Sequence, residues 1–374
     1  MFEPTTEEAL SEAIKSANGP LAIRGGGTRT SHHVGEVLSV AGLSGITLYE
    51  PGALTVVAQA GTPLAEVEAT LAEANQRLAF EPMDHRGLLG TSGTPTIGGV
   101  IAANVSGPRR IQSGAARDFL LGVRFVDGRG DIIKNGGRVM KNVTGYDLVK
   151  LMAGSHGTLG AISEVSLKVL PRTATQAGLE IADLSDADAV KAMSRALGSP
   201  FEVTGAAHLP GHDGAAPRTL IRIEGFEASV AYRVGELEKL LSPFGTVRVE
   251  RDAKAVVATW QNIRDVLPFH GTTQDVWRIS VKPSDGPGVV ERLGSAQAFY
   301  DWGGGLIWAA TAPGTDLRAQ MGDIPGHATL VRAAPETMAR LGTFHLEPAP
   351  LAQISKGLRA QFDPRGLWSP EAAA

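Results

Sequence analysis

The chain has no cysteine in its 374 residues. That excludes disulfides, iron–sulfur ligation, thiolate zinc sites, a cysteine nucleophile and any cysteinyl link to a cofactor. A cytoplasmic location is expected, and any iron–sulfur centre that exchanges electrons with this chain must sit on another polypeptide. An excess of one charge sign is also lacking. The 35 Lys and Arg stand against 39 Asp and Glu, a formal net charge of −4, so no nucleic-acid partner is expected. No apolar run reaches the roughly 20 residues of a transmembrane segment, and Met1-Phe2-Glu3-Pro4 begins neither a signal nor a transit peptide. Paired ligands at metal spacing are missing too, so the expected metal complement is none.

What the chain does have is length and glycine. Its 374 residues exceed one ordinary core, so two domains are expected. Hydrophobic residues at 43% and charged residues at 20% describe a globular protein rather than a disordered one. The stretch Pro20-Leu21-Ala22-Ile23-Arg24-Gly25-Gly26-Gly27-Thr28 predicts a buried strand that stops at a glycine turn. Successive glycines can take φ > 0 and converge several backbone N–H groups on one anion, which grips a phosphate without a lysine. The other reading is an ordinary tight turn. A Rossmann turn opens directly into a helix, whereas here Arg29-Thr30-Ser31-His32-His33 leads to a second short strand, Val37 to Val40.

Thr5 to Asn18 carries Leu10, Ala13, Ile14 and Ala17 at helical spacing, with Thr5 or Thr6 as the cap. Leu54 to Ala58 predicts a strand, Leu64 to Asn75 a helix, and Leu78 to Pro82 a short extended piece. From Gly87 to Gly114, glycines 90, 93, 98, 99 and 107 alternate with Thr91, Ser92, Thr94, Thr96, Asn104 and Ser106. This is either a loop-rich connection or backbone held against a large polar ligand, which glycine lets approach and hydroxyls and amide can bond. Leu120 to Asp127 and Asp131 to Lys134 predict a hairpin. A short helix follows Leu148, and Val165 to Leu170 is a strand closed by Pro171-Arg172. From Thr175 the pattern is βαββαβ as far as Glu250, with a weaker repeat from Val276 to Arg332, and Leu351 to Phe362 predicts a helix. The expected fold class is α+β: a first domain over 1–172, a split-βαβ (ferredoxin-like) antiparallel sheet over 173–345, and a C-terminal segment, 346–374.

Arg24 to Thr28, the region of Thr96-Ile97-Gly98-Gly99, and Lys141 to Ile162 together resemble one superfamily. It is that of the FAD-binding oxidoreductases of vanillyl-alcohol-oxidase or p-cresol-methylhydroxylase (PCMH) type. Within it, Gly107-Pro108-Arg109-Arg110, the run from Val139 to Leu148, and Lys168-Val169-Leu170-Pro171-Arg172 look most like the FAD-binding subunits of bacterial glycolate oxidases. Phe362-Asp363-Pro364-Arg365-Gly366 matches the closing motif of that family, and the resemblance is strongest over the first half. It implies a two-part PCMH-type FAD-binding domain, a cap domain, and a C-terminal segment that returns to the FAD domain. It further implies that Arg24, Gly25, Gly26, Gly27 and Thr28 line the pyrophosphate. Thr96, Ile97, Gly98, Gly99, Asn104, Ser106, Gly107, Gly114 and Arg117 would border pyrophosphate and flavin, and the backbone of Gly160 and Ile162 would meet the adenine end. Lys141, Gly145 and Tyr146 lie in a motif placed near the cofactor, with packing as the other reading of Tyr146. Arg109 and Arg110 either steady phosphate charge or form a solvated pair.

The departures carry information as well. Relatives that tether FAD often have histidine after the loop glycines; this chain has Thr28, so the FAD is expected to be non-covalent. His32 and His33 stand at the wrong offset for a tether. The histidine-rich metal motif of subunits that oxidise D-2-hydroxy acids has no match, and His212 and His270 stand alone, so no catalytic residue is assigned. The implied function is the FAD-binding subunit of a multi-subunit glycolate (2-hydroxy-acid) oxidase or dehydrogenase. Its implied partners are a catalytic flavoprotein subunit, an iron–sulfur subunit and a small 2-hydroxy acid. The complex would be cytoplasmic, or peripheral to the inner membrane through those partners. The alternatives are a free-standing FAD-dependent oxidoreductase of a small hydroxy acid or alcohol, and a scaffold whose FAD pocket has decayed.

Overall fold

The computed structural model describes residues 1–29, 35–138, 145–212, 214–294 and 296–368. They divide into two units: Met1–Ser106, Gly114–Arg172 and the residues from Leu346 onward form one, and Gly107–Ser113 with Thr173–His345 the other. The strip 107–113, which the sequence reading keeps in the first domain, thus belongs to the second unit.

In the first unit Thr6 caps the helix Glu7–Ser16, its hydroxyl accepting from the Ala9 N–H at 3.1 Å. Leu10 and Ile14, one turn apart, are both fully buried and join a core cluster with Leu21, Leu38, Leu43, Leu367 and Trp368. Each such side chain contributes on the order of 1.5–3 kcal/mol by leaving water. Strand Leu21–Arg24 pairs in parallel with Glu36–Ser39, and the Leu21 N–H donates to the Leu367 carbonyl at 2.8 Å, which draws the C-terminal segment in. A five-stranded antiparallel sheet runs Ile46–Glu50, Thr55–Gln59, Ala161–Lys168, Leu120–Val126, Ile132–Gly136. The glycine-rich stretch after Gly87 contains the short helix Ile97–Ala102. There the Thr96 hydroxyl accepts from the Gly99 N–H, and Ile97, Val100 and Ile101 are buried. Asn104, with φ 48°, takes the chain out of it.

The second unit carries an eight-stranded antiparallel sheet built from two βαββαβ halves. The first half orders its strands Val247–Glu250, Thr175–Ala182, Arg218–Gly225, Val203–Leu209; the second Gln297–Asp301, Leu306–Thr311, Asp275–Val281, Gly326–Arg332. Both are the split-βαβ arrangement. Side chains alternate along each strand, so Leu179, Ile181, Ile221, Ile223, Trp277, Ile279 and Ile307 share one core with the helices Asp186–Leu197, Glu227–Leu241, Gly286–Leu293 and Leu317–Met321. The halves meet through the bridge His208↔Tyr300. Here the His208 Nδ1 lies 2.9 Å from the Thr219 hydroxyl, and the Tyr300 hydroxyl donates to Asp186 Oδ2 at 2.6 Å. Among the helices that the sequence-based elements do not include are Ala253–Arg264 and Pro335–Leu341. The first carries its signal openly, with Val256, Trp260 and Ile263 buried on one face.

Candidate functional site

Strand Leu21–Arg24 delivers the chain into the glycine loop, and the loop is packed backbone to backbone. A Cβ on Gly26 would stand 1.5 Å from the Thr94 carbonyl oxygen, and one on Gly93 would stand 1.7 Å from the Gly26 carbonyl oxygen. On Gly25 it would lie 2.6 Å from the Thr96 hydroxyl. Gly27 has φ 68°, and Arg24 folds back over it, with Nη2 2.7 Å from where its Cβ would be. Of the three glycines only Gly27 takes a positive φ; Gly25 and Gly26 are needed for close approach, which corrects the expectation that the run serves left-handed backbone throughout. Thr28 is buried, and its carbonyl accepts from the Thr91 hydroxyl at 3.0 Å. The second glycine segment is pinned in turn: the Ile97 N–H donates to Thr62 O at 3.0 Å and the Gly98 N–H to Ala60 O at 2.8 Å. A Cβ on Gly98 would meet Ala60 at 2.6 Å. The two glycine segments, some seventy residues apart by sequence number, therefore form one cradle.

Arg29 follows the loop directly, and sequence reasoning passed over it; its signal was a cation right after the loop hydroxyl. Its Nη1 lies 2.8 Å from where a Gly99 Cβ would be, its Nε is buried without a partner, and among the described residues it makes no hydrogen bond. Burial lowers its pKa to about 10, partly opposed by the nearby Asp84 charge. A desolvated cation is costly until an opposite charge reaches it.

Asn104, Ser106, Gly114 and Arg117 come together as one knot. Asn104 Oδ1 accepts from the Arg117 N–H at 3.0 Å, and the Ser106 hydroxyl accepts from the Ala116 N–H at 2.9 Å. Gly114, at φ 98°, packs against Asp118. Gly160 lies at φ 146°, where a Cβ would stand 2.6 Å from the Val126 carbonyl oxygen, and it starts the strand that holds the buried Ile162. Lys141, His32 and His33 lie outside the described residues. Tyr146 is 88% exposed, which removes the packing reading.

Gly107 and Arg109 have partners of their own. They belong to the second unit, where the Gly107 carbonyl accepts from the Trp302 indole N–H at 3.1 Å and Arg109 is engaged by Glu224. Arg110 stacks on the Trp302 ring, its Cζ 4.6 Å from the centroid, rather than lying in solvent as half of a hydrated pair. Among the described residues no group of three His, Asp or Glu stands close enough to hold a metal, and no helix is long and apolar enough to cross a membrane.

Residues 1–136 match the FAD binding domain family. Over 97% of this chain, and 95% of the relative, the sequence is 35% identical to glycolate oxidase subunit GlcE of Escherichia coli. A D-lactate dehydrogenase of Archaeoglobus fulgidus is 33% identical over 180 residues, 46% of this chain and 39% of that one. Among solved structures, alkyldihydroxyacetonephosphate synthase covers 100% of this chain and 76% of its own with a TM-score of 0.70. At 16% identity that likeness speaks for the fold alone. The FAD binding domain match and the near full-length relative make the chain an FAD-binding oxidoreductase of PCMH type. The chain belongs to the family of glycolate oxidase subunit GlcE.

The residues present fit an FAD. The loop leaves no room for side chains at Gly25 and Gly26, as a backbone cradle for a pyrophosphate requires, and beside it stands a cation whose buried Nε has no partner.

Proposed function

We propose that the chain is the FAD-binding subunit of a multi-subunit glycolate (2-hydroxy-acid) oxidase. The match to a subunit of such an oxidase, nearly full-length in both chains, carries this reading. In it, the backbone of Gly25 to Thr28 and of Thr96 to Gly99 cradles the pyrophosphate, with Arg24 and Ile97 shaping the loop from behind and Arg29 supplying the counter-charge. Asn104, Ser106, Gly114 and Arg117 border the flavin, and the backbone at Gly160 and Ile162 faces the adenine end. Bound FAD supplies a two-electron acceptor that can pass electrons on singly.

Oxidation of a 2-hydroxy acid needs its carboxylate fixed and its hydroxyl proton removed by a base at hand. In this reading a sister flavoprotein subunit holds that base, and the electrons leave through an iron–sulfur subunit. A peripheral membrane position would come through those partners. The test is anaerobic addition of glycolate or D-lactate, followed as bleaching of the flavin absorbance in stopped flow. The isolated chain is expected to stay yellow and the complex assembled from its native host to bleach. Rapid bleaching of the isolated chain would put the free-standing oxidoreductase first, and a colourless chain that takes up no FAD would overturn the cofactor site.

A further inference from the structure

The helix Ala349–Phe362, 14 residues long, is fastened to the first unit at its C-terminal end. The Phe362 ring lies 5.9 Å from that of Phe125, the Gly128 N–H donates to the Phe362 carbonyl at 2.7 Å, and Arg365 Nη1 donates to the Ile14 carbonyl at 3.0 Å. Just beyond, Leu367 and Trp368 sit in the core. The helix itself has no buried residue. Leu351, Ile354 and Leu358, spaced three and four residues apart, share one face, and they are 53%, 60% and 37% exposed. By helical spacing Arg359 and Lys356 run along one side of this stripe, and Gln361 and Gln353 along the other. A helix of this length gains its stability in water mainly by burying its apolar face, and Gly357 lowers its own propensity further. Among the described residues nothing buries that face.

The charges beside the face have one sign. The helix holds no acid, and among the described residues neither Lys356 nor Arg359 makes an ion pair. The acids that flank the helix are engaged. Glu347 Oε1 accepts from the Ser355 hydroxyl at 3.1 Å, and the Asp363 carboxylate accepts from the N–H groups of Leu367 and Trp368, each at 2.8 Å. A chain of formal net charge −4 thus carries a basic edge next to an exposed apolar stripe.

We propose that this helix docks the chain onto a partner subunit of its complex. The face of Leu351, Ile354 and Leu358 enters an apolar groove whose rim beside Arg359 and Lys356 is acidic. Apolar anchors at i, i+3 and i+7 are the pattern of a helix laid in a groove, and unpaired cations along its edge select an acidic rim and speed the encounter. A lipid surface fits less well, because two cations and a stripe without an aromatic residue fall short of an interfacial helix. The existence of a partner subunit rests on the function proposed above; the choice of face and the acidic rim rest on the helix.

The tagged full-length chain is isolated from its native host with the subunits that accompany it, and its association with those subunits is then titrated. Ile354→Ser combined with Leu358→Ser is expected to keep flavin content and Tm, since neither side chain is buried in the chain, and to weaken association at least about tenfold. Lys356→Glu combined with Arg359→Glu is expected to weaken it as well, as is added salt with the wild type. Exchange of the helix amides should slow in the complex. Wild-type association of the double-serine variant overturns the docking helix and leaves the subunit reading standing, whereas a wild-type chain that comes out alone overturns both. Loss of flavin or of Tm in the double-serine variant would show that the face packs within the chain, which overturns the proposal. Wild-type association of the double-glutamate variant overturns the acidic rim. Binding of the isolated chain to phosphatidylglycerol vesicles, or its dimerisation in sedimentation, overturns the assigned occupant if the double-serine change abolishes it.

Discussion

Arg109 grips Glu224 at two points, Nε to Oε2 at 2.7 Å and Nη2 to Oε1 at 2.9 Å, with the side chains 8% and 2% exposed. This pair ties the strip Gly107–Ser113 into the second unit. Removing one partner of a buried pair leaves the other charge desolvated, so Arg109→Ala is expected to cost about 3–5 kcal/mol. The double change Arg109→Met with Glu224→Leu should cost much less, since neither charge remains. Urea unfolding of the three proteins checks this, and equal destabilisation of single and double variants would count against it.

Gly26→Val is expected to lose FAD. Its Cβ would stand 1.5 Å from the Thr94 carbonyl oxygen, so the two backbone segments of the cradle must separate. A fall in bound flavin of at least about tenfold is expected from the lost alignment, read as the flavin-to-protein absorbance ratio after purification. Wild-type occupancy in this variant would make the loop an ordinary turn.

Arg29→Gln separates a ligand-binding cation from a structural one. With its pKa lowered to about 10, the folded chain binds fewer protons at this site than the unfolded chain between that value and the ordinary guanidinium range. Stability therefore rises with pH only in that alkaline window, and at neutral pH the charge carries its full penalty. Without FAD the variant is expected to be no less stable than wild type, while the rise in Tm on adding FAD shrinks. A variant that is destabilised without FAD and keeps the full rise would refute the role.

Tyr300→Phe probes the join between the two halves of the second sheet. Burial raises the Asp186 pKa, but the His208 ring 3.4 Å away and the hydrogen bond from Tyr300 outweigh it and hold the carboxyl below its ordinary value. A carboxyl held low stabilises the fold above the ordinary carboxylate range, and that contribution fades as pH falls through the folded pKa. Loss of the Tyr300 hydroxyl is expected to cost about 1.5–3 kcal/mol at neutral pH, as for a hydrogen bond to a charged group. The gap to wild type should narrow in acid. Denaturant midpoints across pH measure it, and a pH-independent gap would place the effect in packing.

Non-covalent FAD is expected from Thr28 at the tethering position and from the absence of cysteine. Acid precipitation should leave the flavin in the supernatant; flavin that stays with the pellet would refute this.

Much of this protein was legible without coordinates, because its signals are contiguous. The glycine run after Ile23, the βαββαβ pattern from Thr175, and the Thr6 cap each depend on neighbours a few residues away, where propensity and spacing act directly. The amino-acid sequence by itself determined the α+β class, the cysteine-free chemistry and the family motifs. Tertiary structure alone decided how those motifs are used. Gly26 must be glycine because Thr94 crosses it, not because of its own φ. Arg109 finds its carboxylate partner, Glu224, 115 residues away. Arg29 stands out only when the partners of the other buried arginines are known. Whether a charge is satisfied and whether two backbones touch depend on contacts distant in sequence, and no local pattern carries that information.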